Sequence, residues 1–278
     1  MTLFMGSIDK ALGAKVVLIG APMDFTVSFR PGTRLGPQQM RNVSDGLEEY
    51  SHDLGRELVE TKFFDSGDLE LPFGNVSRSL DIIGGAIRDI LKEGQMPFLL
   101  GGEHLVSFPA VEAVYNKYQD LVVLHFDAHA DLRTDYLGES QSHATVIRKV
   151  SELIGGQNVY QFGIRSGTKE EFAYARDNTN LYYKTVKDAL AEVLPTIKGR
   201  PVYLTIDIDV LDPAFAPGTG TPEPGGICSR ELFESIYLLK GQRVVGMDLV
   251  EVSPFGDETW RTALAGAKII RELLLLFA

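Results

Sequence analysis

Cysteine is nearly absent from this sequence, and a single residue, Cys228, cannot form an intrachain disulfide. A chain with one cysteine shows no sign of folding in an oxidising compartment. Residues 1–15 lack a basic start followed by a long apolar run, so they do not resemble a signal peptide. The apolar run at residues 272–278 is far too short to cross a bilayer. We therefore expect a cytoplasmic protein without a membrane partner.

Positive charge is also scarce. The chain has 27 lysines and arginines against 38 aspartates and glutamates, which gives a formal net charge of -11 at pH 7. A surface of this sign repels phosphate groups, so nucleic acid is not expected as a partner. It is compatible with a small cationic ligand, although mild acidity commonly serves only solubility.

Short apolar runs alternate with amphipathic segments along the whole chain. Strands are predicted from the runs that begin at Lys15, Met96, Leu121, Asn158, Pro201 and Arg243. Helices are predicted after Gly36-Pro37 and over residues 77–92, 107–118, 142–153 and 259–277. This alternation predicts an α/β fold in which helices cover both faces of a parallel sheet. Because no linker or repeat interrupts the pattern, residues 1–278 are expected to form one domain.

Four of these strands run into polar residues at their carboxyl ends. The four segments are Gly101-Gly102-Glu103-His104, Asp127-Ala128-His129-Ala130-Asp131, Asp207-Ile208-Asp209, and Asp248 to Glu251. Ligands of open α/β sheets bind outside the carboxyl ends of the strands. All four segments are therefore expected to meet at one rim of the sheet.

The composition of this rim predicts a metal centre. Alternate spacing places Asp127, His129 and Asp131 on one side of an extended backbone, and the same holds for Asp207 and Asp209. So many neighbouring carboxylates resist joint ionisation without a cation, and two divalent ions would resolve the conflict. The candidate ligands are His104, Asp127, His129, Asp131, Asp207 and Asp209. Oxygen ligands with two imidazoles and no thiolate suit Mn²⁺ best, with Fe²⁺, Co²⁺ or Ni²⁺ as alternatives.

The positions of the other three histidines in the sequence indicate what roles they could have. His125 lies inside a strand two residues before Asp127, so we interpret it as a structural residue or a support for a ligand. His52 lies in a polar region and is expected at the surface. His143 opens a helix close to the acidic cluster, and a structural and a catalytic role both remain open.

These motifs resemble the ureohydrolase family, which comprises arginases, agmatinases and their relatives. The matching segments are GGEH at Gly101, DAHAD at Asp127, SHAT at Ser142, DIDVLDPAFAPGTGTPEPGG at Asp207, RPGTRLGPQQMR at Arg30 and MDLVEVSP at Met247. The resemblance covers nearly the whole chain. The loop DPAFAPGTGTPEPGG and the segment LRTDYLGESQSHAT are most similar to agmatinases.

The resemblance implies an arginase-like, three-layer α/β/α fold around a mostly parallel sheet of eight strands. It implies two Mn²⁺ ions, one held by His104 and Asp131 and the other by His129 and Asp209, with Asp127 and Asp207 bridging both. It further implies that Glu251 receives the substrate guanidinium and that His143 binds substrate and shuttles protons. Family members usually form trimers or hexamers, so a homo-oligomer is expected.

The sequence departs from the family pattern at two positions. Glu103 stands where many members have Asp, and we expect this to be tolerated because the residue is not a ligand. Ala144 stands where arginases typically have Gly, which bears on the pose of His143. A loop that would recognise an α-amino acid head group is not evident between Asp131 and His143, which argues against arginine as the substrate.

The implied reaction is hydrolysis of the guanidino group of agmatine to urea and putrescine, a step of polyamine biosynthesis. A water activated by the two ions would attack the guanidinium carbon while Glu251 holds the cation. Asp131 would pass a proton to the departing amine, and His143 would relay protons to solvent. Guanidinobutyrate, aminopropylagmatine, guanidine or arginine are alternative substrates. A catalytically inactive binding or regulatory relative is the alternative of a different class, but such proteins tend to lose ligands, and all six are present here.

Overall fold

The computed structural model describes residues 2–183 and 185–278. The strands in this part of the chain are β1 (Val16–Ala21), β2 (Tyr50–Ser51), β3 (Arg56–Glu57), β4 (Phe63–Asp68), β5 (Met96–Gly101), β6 (Val122–Phe126), β7 (Val159–Phe162), β8 (Asn180–Tyr182), β9 (Val202–Asp207) and β10 (Val244–Val250). Eight of them form one parallel sheet in the order β4-β1-β5-β10-β9-β6-β7-β8. The pair β2-β3 is a separate antiparallel hairpin.

Helices cover both faces of this sheet. They are α1 (Gly36–Ser44), α2 (Val76–Lys92), α3 (Ser107–Lys117), α4 (Val146–Ile154), α5 (Lys169–Asn178), α6 (Val186–Val193), α7 (Ser229–Leu238) and α8 (Arg261–Phe277). Helices α2, α3, α4 and α5 pack on one face, and α1, α6, α7 and α8 pack on the other. The three-layer arrangement with eight strands is confirmed. No helix within the described residues is long and apolar enough to span a membrane.

Strand residues alternate between two hydrophobic cores, one on each face of the sheet. In β1, Val16 and Leu18 pack into one core, whereas Val17 and Ile19 pack into the other. Because a strand between two helical layers is buried on both faces, its sequence is a continuous apolar run. This is why the strands at Lys15, Met96, Leu121, Asn158, Pro201 and Arg243 could be predicted, and all are present.

Several elements were not predicted from the sequence. Strand β8 has only three residues, all partly exposed, so it gives no apolar run. Helix α5 buries only Glu171 and Ala175, which hides the helical period of its apolar residues. Helices α6 and α7 were also missed, although each has a buried face.

The strand order places the predicted rim at the centre of the sheet. The four strands that precede the polar segments, β5, β10, β9 and β6, are consecutive neighbours. With neighbouring strands about 4.8 Å apart, their carboxyl ends lie within roughly 15 Å of one another. The expectation that the four segments meet at one rim is therefore confirmed.

Candidate active site

The first group of candidate ligands surrounds His104, which follows β5. Its Nδ1 atom lies 3.0 Å from Oδ2 of Asp127, 3.2 Å from Oδ2 of Asp131 and 3.4 Å from Oδ2 of Asp207. All four side chains are buried. One imidazole nitrogen thus faces three carboxylate oxygens from the ends of two other strands.

The second group surrounds His129. Its Nδ1 atom lies 2.9 Å from Oδ2 of Asp209 and 3.5 Å from Oδ1 of Asp127. Asp127 therefore belongs to both groups, with Oδ2 facing His104 and Oδ1 facing His129. The structure thus brings together all six residues that the sequence singled out, in two groups that share one carboxylate. Asp207 lies beside His104, and its bridging role stays a prediction.

Turns rather than extended strands present these carboxylates, which corrects the expectation of a continuous extended backbone. Strand β6 ends at Phe126, before Asp127, and a 3₁₀ turn over Ile208–Val210 follows β9. Oδ1 of Asp127 accepts the N–H of His129 at 2.5 Å, and Oδ1 of Asp207 accepts the N–H of Asp209 at 2.8 Å. Each aspartate thus caps the residue two positions ahead and turns its Oδ2 toward His104.

Two buried atoms of the cluster have the properties of metal ligands. Among the described residues, Nδ1 of His104 and Oδ2 of Asp209 have no hydrogen-bond partner of acceptable geometry. Nε2 of His104 lies 2.9 Å from Oγ1 of Thr205, and this contact lets Nε2 carry the ring proton. The lone pair of Nδ1 would then face carboxylate oxygens, an arrangement that a cation between them stabilises. The residues present therefore fit divalent ions.

The electrostatics of the cluster also favour added positive charge. Burial and the neighbouring charges of Asp209 and Asp127 raise the pKa of Asp207 well above its usual range. Burial and the charge of Asp127 raise the pKa of Asp131 to about 7. A cation bound between these carboxylates would lower their pKa values and so favour their ionised forms.

His125 contacts the shared carboxylate from behind. Its ring is fully buried, and its Nε2 atom lies 2.8 Å from Oδ2 of Asp127. Its Nδ1 atom lies 3.2 Å from Nε2 of Gln161. Although Nε2 is close enough to join the first ligand group, both ring nitrogens already have neighbours, which agrees with the interpretation of His125 as a support.

Glu251 follows β10 in a left-handed backbone conformation, with φ of 63°. Its Oε1 atom accepts the backbone N–H of His104 at 2.7 Å, and burial raises its pKa well above the usual range. A side chain at Gly220 would approach Oε2 of Glu251 to 3.3 Å, so the glycine leaves space beside that oxygen. Asp131, with φ of 53°, shares this uncommon conformation. Backbone strain of this kind is concentrated at functional sites.

His143 lies across the site from the strand ends. Its backbone N–H donates to Oγ1 of Thr26 at 3.0 Å, and its Nε2 atom lies 3.2 Å from Oγ of Ser28. Burial, together with the nearby His129 and His104, lowers the pKa of His143 to about 4. Ala144 is not among the four described non-glycine residues with positive φ. Replacing glycine by alanine at this position therefore requires no backbone strain.

A cavity of about 230 Å³ lies over the cluster, and both Glu251 and His143 line it. The residues that also line it and were not singled out from the sequence include Ser28, Arg133, Tyr136, Thr168, Glu171 and Thr221. Thr168 and Glu171 form the capping box at the start of α5. The spacing of this Thr-x-x-Glu pair was the one signal in the sequence that could have located them.

Arg165 fastens the loop that follows β9. Its guanidinium donates to the carbonyl oxygens of Asp209 at 2.7 Å, Glu223 at 2.7 Å and Val210 at 3.3 Å. Asp212 closes the same loop by accepting the N–H groups of Ala214, Gly225 and Gly226. The Pro- and Gly-rich segment thus has a defined path that brings Thr221 to the cavity.

The model of the Arginase family matches residues 14–276. The chain belongs to the arginase family. It is similar to an agmatinase of Bacillus subtilis (strain 168), with 55% identity over 277 residues, which cover 99% of this chain and 96% of the relative. It is also similar to an agmatinase of Bacillus anthracis, with 57% identity over 265 residues, which cover 94% of this chain and 91% of the relative.

A solved structure of the arginase family agrees with the fold. The crystal structure of agmatine ureohydrolase of Thermoplasma volcanium matches with a TM-score of 0.90 and 31% identity, over 99% of this chain and 94% of that chain. The family consists of ureohydrolases that depend on a binuclear metal centre. This chain is therefore a hydrolase of the ureohydrolase group, and the family resemblance and the arginase-like fold are confirmed.

Proposed function

We propose that this protein hydrolyses the guanidino group of agmatine to urea and putrescine with two Mn²⁺ ions. The observation that carries the proposal is the position of Asp127, whose two oxygens face the two histidine groups beneath the cavity. A carboxylate shared in this way is suited to joining two ions. The nearby Glu251 adds a carboxyl group that can pair with a guanidinium.

One ion would be held by His104 and Asp131 and the other by His129 and Asp209, and both would share Asp127 and Asp207. When bound, they would activate a water for attack on the guanidinium carbon and stabilise the charge that develops there. The absence of thiolates and the four carboxylates among the ligands support Mn²⁺.

Glu251 would orient the substrate. Oε1 of Glu251 is held by the N–H of His104, so the carboxylate is fixed relative to the ligands. A guanidinium bound to this buried carboxylate would form a charge-assisted hydrogen bond, and its carbon would be held near the ligand cluster. The high pKa of Glu251 also favours a cationic partner, because the partner would stabilise the ionised carboxylate.

Asp131 and His143 would transfer protons during the reaction. Both line the cavity, so each can reach a bound substrate or solvent. The carboxylate of Asp131 would take the proton that the attacking water loses and give it to the departing amine, and the imidazole of His143 would exchange protons with solvent. A ring with a pKa of about 4 is neutral at pH 7, so one of its nitrogens lacks a proton and can act as an acceptor.

The tail of the substrate would face the part of the cavity formed beyond β7. Glu171 lies there, in the first turn of α5, which follows β7. In the sheet order, β7 is three strands away from β10, the strand that leads to Glu251. The carboxylate oxygens of Glu171 accept the N–H groups of Leu132 and Thr168, at 3.0 Å and 2.8 Å. A carboxylate at this end suits the terminal amine of agmatine, which is cationic at neutral pH.

Arg133 favours a second candidate, guanidinobutyrate. Its Nε atom lies 3.4 Å from Oε2 of Glu171, and the side chain is 38% exposed at the cavity. If the guanidinium turned from Glu171, it could pair with the carboxylate tail of guanidinobutyrate. We favour agmatine because the relatives with 55% and 57% identity to this chain are agmatinases.

A substrate panel tests the proposal. Urea release would be measured with Mn²⁺ and agmatine, guanidinobutyrate, arginine, aminopropylagmatine or guanidine. We expect the highest kcat/KM for agmatine, and we expect Glu171→Gln to lower kcat/KM for agmatine more than for guanidinobutyrate. A preference for guanidinobutyrate that is lost in Arg133→Gln would establish the second candidate. No urea from any of these compounds in metal-loaded protein would refute both.

We further propose a cytoplasmic homo-oligomer, a trimer or hexamer. The support for an oligomer is the exposure of two large apolar side chains, since Phe29 is 65% and Phe255 is 69% exposed. Phe255 contacts the segment at Gly32, and Arg30 lies over the ring of Phe29. Light scattering after size exclusion would give the subunit number, and a monomer at micromolar concentration would refute this assembly.

A further inference from the structure

Glu103 links two distant segments beside the active site. The side chain is fully buried between β5 and the ligand His104. Its Oε2 atom accepts the backbone N–H of Thr26 at 2.7 Å, although the two residues are 77 positions apart. Among the described residues, its Oε1 atom has no hydrogen-bond partner. The bond to Thr26 is therefore the main polar contact of this buried carboxylate.

Thr26 in turn contacts His143. Its Oγ1 atom accepts the backbone N–H of His143 at 3.0 Å and lies 3.4 Å from Nδ1 of the ring. Two residues further along the same segment, Oγ of Ser28 lies 3.2 Å from Nε2 of the ring. Both ring nitrogens thus contact residues 26–28, and Glu103 holds the first residue of that segment.

The rest of the segment is anchored further from His143. Oδ2 of Asp24 accepts the N–H of Gly32 at 2.9 Å, which closes the base of the loop. The backbone of Met23 approaches Gly102 so closely that a side chain at Gly102 would come to 1.9 Å from its carbonyl oxygen. These contacts fix residues 23–24 and 32. The contact of Glu103 with Thr26 is the anchor that lies closest to the imidazole.

The length of the Glu103 side chain matters for this contact. Aspartate is shorter by one carbon–carbon bond of about 1.5 Å. A bond of 2.7 Å would then be stretched beyond hydrogen-bond range unless residues 26–28 moved toward β5. Either response would change the surroundings of both ring nitrogens of His143.

We propose that Glu103 is a positioning residue for His143, acting through Thr26 and the segment 26–28. It sets where the imidazole stands over the cavity, and it does not itself touch the substrate. The catalytic consequence rests on the proposed function, because His143 moves protons only if the site is the ureohydrolase centre described above. The positional consequence does not depend on the substrate.

The test compares Glu103→Asp with Glu103→Gln in metal-loaded protein. Gln keeps a carbonyl oxygen at the same distance and can still accept the N–H of Thr26, whereas Asp reaches it only if residues 26–28 move toward β5. We expect Glu103→Asp to lower kcat by about tenfold, the effect of losing one well-placed hydrogen bond, with two ions still bound. Glu103→Gln should retain more of the kcat than Glu103→Asp. Glu93→Asp, the same change at an exposed position, is the matched control.

A double-mutant cycle and NMR separate positioning from a general structural role. If Glu103 acts through His143, Glu103→Asp should lower kcat by less than about twofold in a His143→Asn background, since the two changes share one effect. The ¹⁵N signals of the His143 ring, recorded with a diamagnetic ion such as Mg²⁺ or Zn²⁺ in place of Mn²⁺, should shift in Glu103→Asp and Thr26→Val but stay near wild type in Glu103→Gln and Thr26→Ser. Unchanged ring signals in a folded Glu103→Asp protein, or an equal loss of kcat in the His143→Asn background, would overturn the proposal. If wild-type protein released no urea, the proposed function would fail, and the ring signals would still decide the positional claim.

Discussion

Nε2 of His125 lies 2.8 Å from Oδ2 of Asp127, the same oxygen that lies 3.0 Å from Nδ1 of His104. The carboxylate shared by the two groups therefore contacts the buried ring of His125 on one side and candidate metal ligands on the other. We predict that a ring in this position fixes the direction of the carboxylate without being a metal ligand itself. Replacing a residue that only orients a ligand and replacing a ligand itself should therefore have different effects on metal binding.

Replacing His125 by Asn should weaken metal binding without removing a site. Loss of a group that orients a ligand typically costs about 10- to 100-fold in metal affinity. In contrast, Asp127→Asn should lose at least one of the two ions, because both groups share its carboxylate. Calorimetric titration of metal-free protein with Mn²⁺ would distinguish them. If His125→Asn bound only one ion, His125 would be a ligand.

Replacing Glu251 by Gln should lower the activity on guanidino substrates. A hydrogen bond to a charged group contributes about 1.5–3 kcal/mol, so kcat/KM for agmatine should fall by about 10- to 150-fold. The amide oxygen of Gln can still accept the N–H of His104, so both ions should remain bound. Steady-state urea release would measure the effect, and Glu258→Gln at an exposed position serves as the control. Normal kinetics in Glu251→Gln would remove this residue from the substrate site.

Replacing Arg165 by Met should loosen the loop after β9. The carbonyl oxygens of Asp209, Val210 and Glu223 would lose a common donor. We expect the free energy of unfolding to fall by about 3 kcal/mol, since several polar groups lose partners at once. The change should also reduce urea release, because Asp209 is a candidate ligand. The control is Arg230→Met, where the side chain is 80% exposed, and chemical denaturation should show a change below about 0.5 kcal/mol. Equal stabilities of the two variants would contradict this role of Arg165.

The loop should also respond to pH through Asp212. Hydrogen bonds from the N–H groups of Ala214 and Gly225 hold the pKa of Asp212 below its usual range. A carboxylate with a depressed folded pKa stabilises the protein above its unfolded pKa of about 4, and the stabilisation is lost as the pH falls through the folded value. Asp212→Asn should therefore be less stable than wild type at pH 7, and the difference should shrink toward pH 3. Denaturation of both metal-free proteins across this range would show it, whereas a difference independent of pH would exclude the charge as its cause.

The sequence predicted the candidate site best where ionisable residues directly follow an apolar strand that must be buried. Burying ionisable groups is costly unless they are paired or bind a metal. Asp127, His129 and Asp131, which directly follow an apolar strand, could therefore be singled out as candidate ligands without a structure. The strand order then explains why His104 and Asp207 join them, because β5, β10, β9 and β6 are neighbours. The parallel sheet was predictable for the same reason, since its strands are buried on both faces.

The walls of the cavity were not predictable in the same way. Arg133 and Glu171 reach the site from loops and from the first turn of α5, where no apolar period marks their direction. The contact between Glu103 and Thr26 depends on a pairing of residues 77 positions apart. Such contacts follow from the path of the loops, which composition and spacing leave open.

The central claim is that two ions joined at Asp127 are both required to release urea from agmatine. Metal-free protein would be loaded stepwise with Mn²⁺, and urea release from agmatine would be measured against the number of ions bound per chain, determined by elemental analysis. We expect urea release to stay well below its maximum at an average of one ion per chain and to reach the maximum only as the second site fills. Full urea release from protein with one ion per chain, or from protein verified to be free of metal, would contradict the claim.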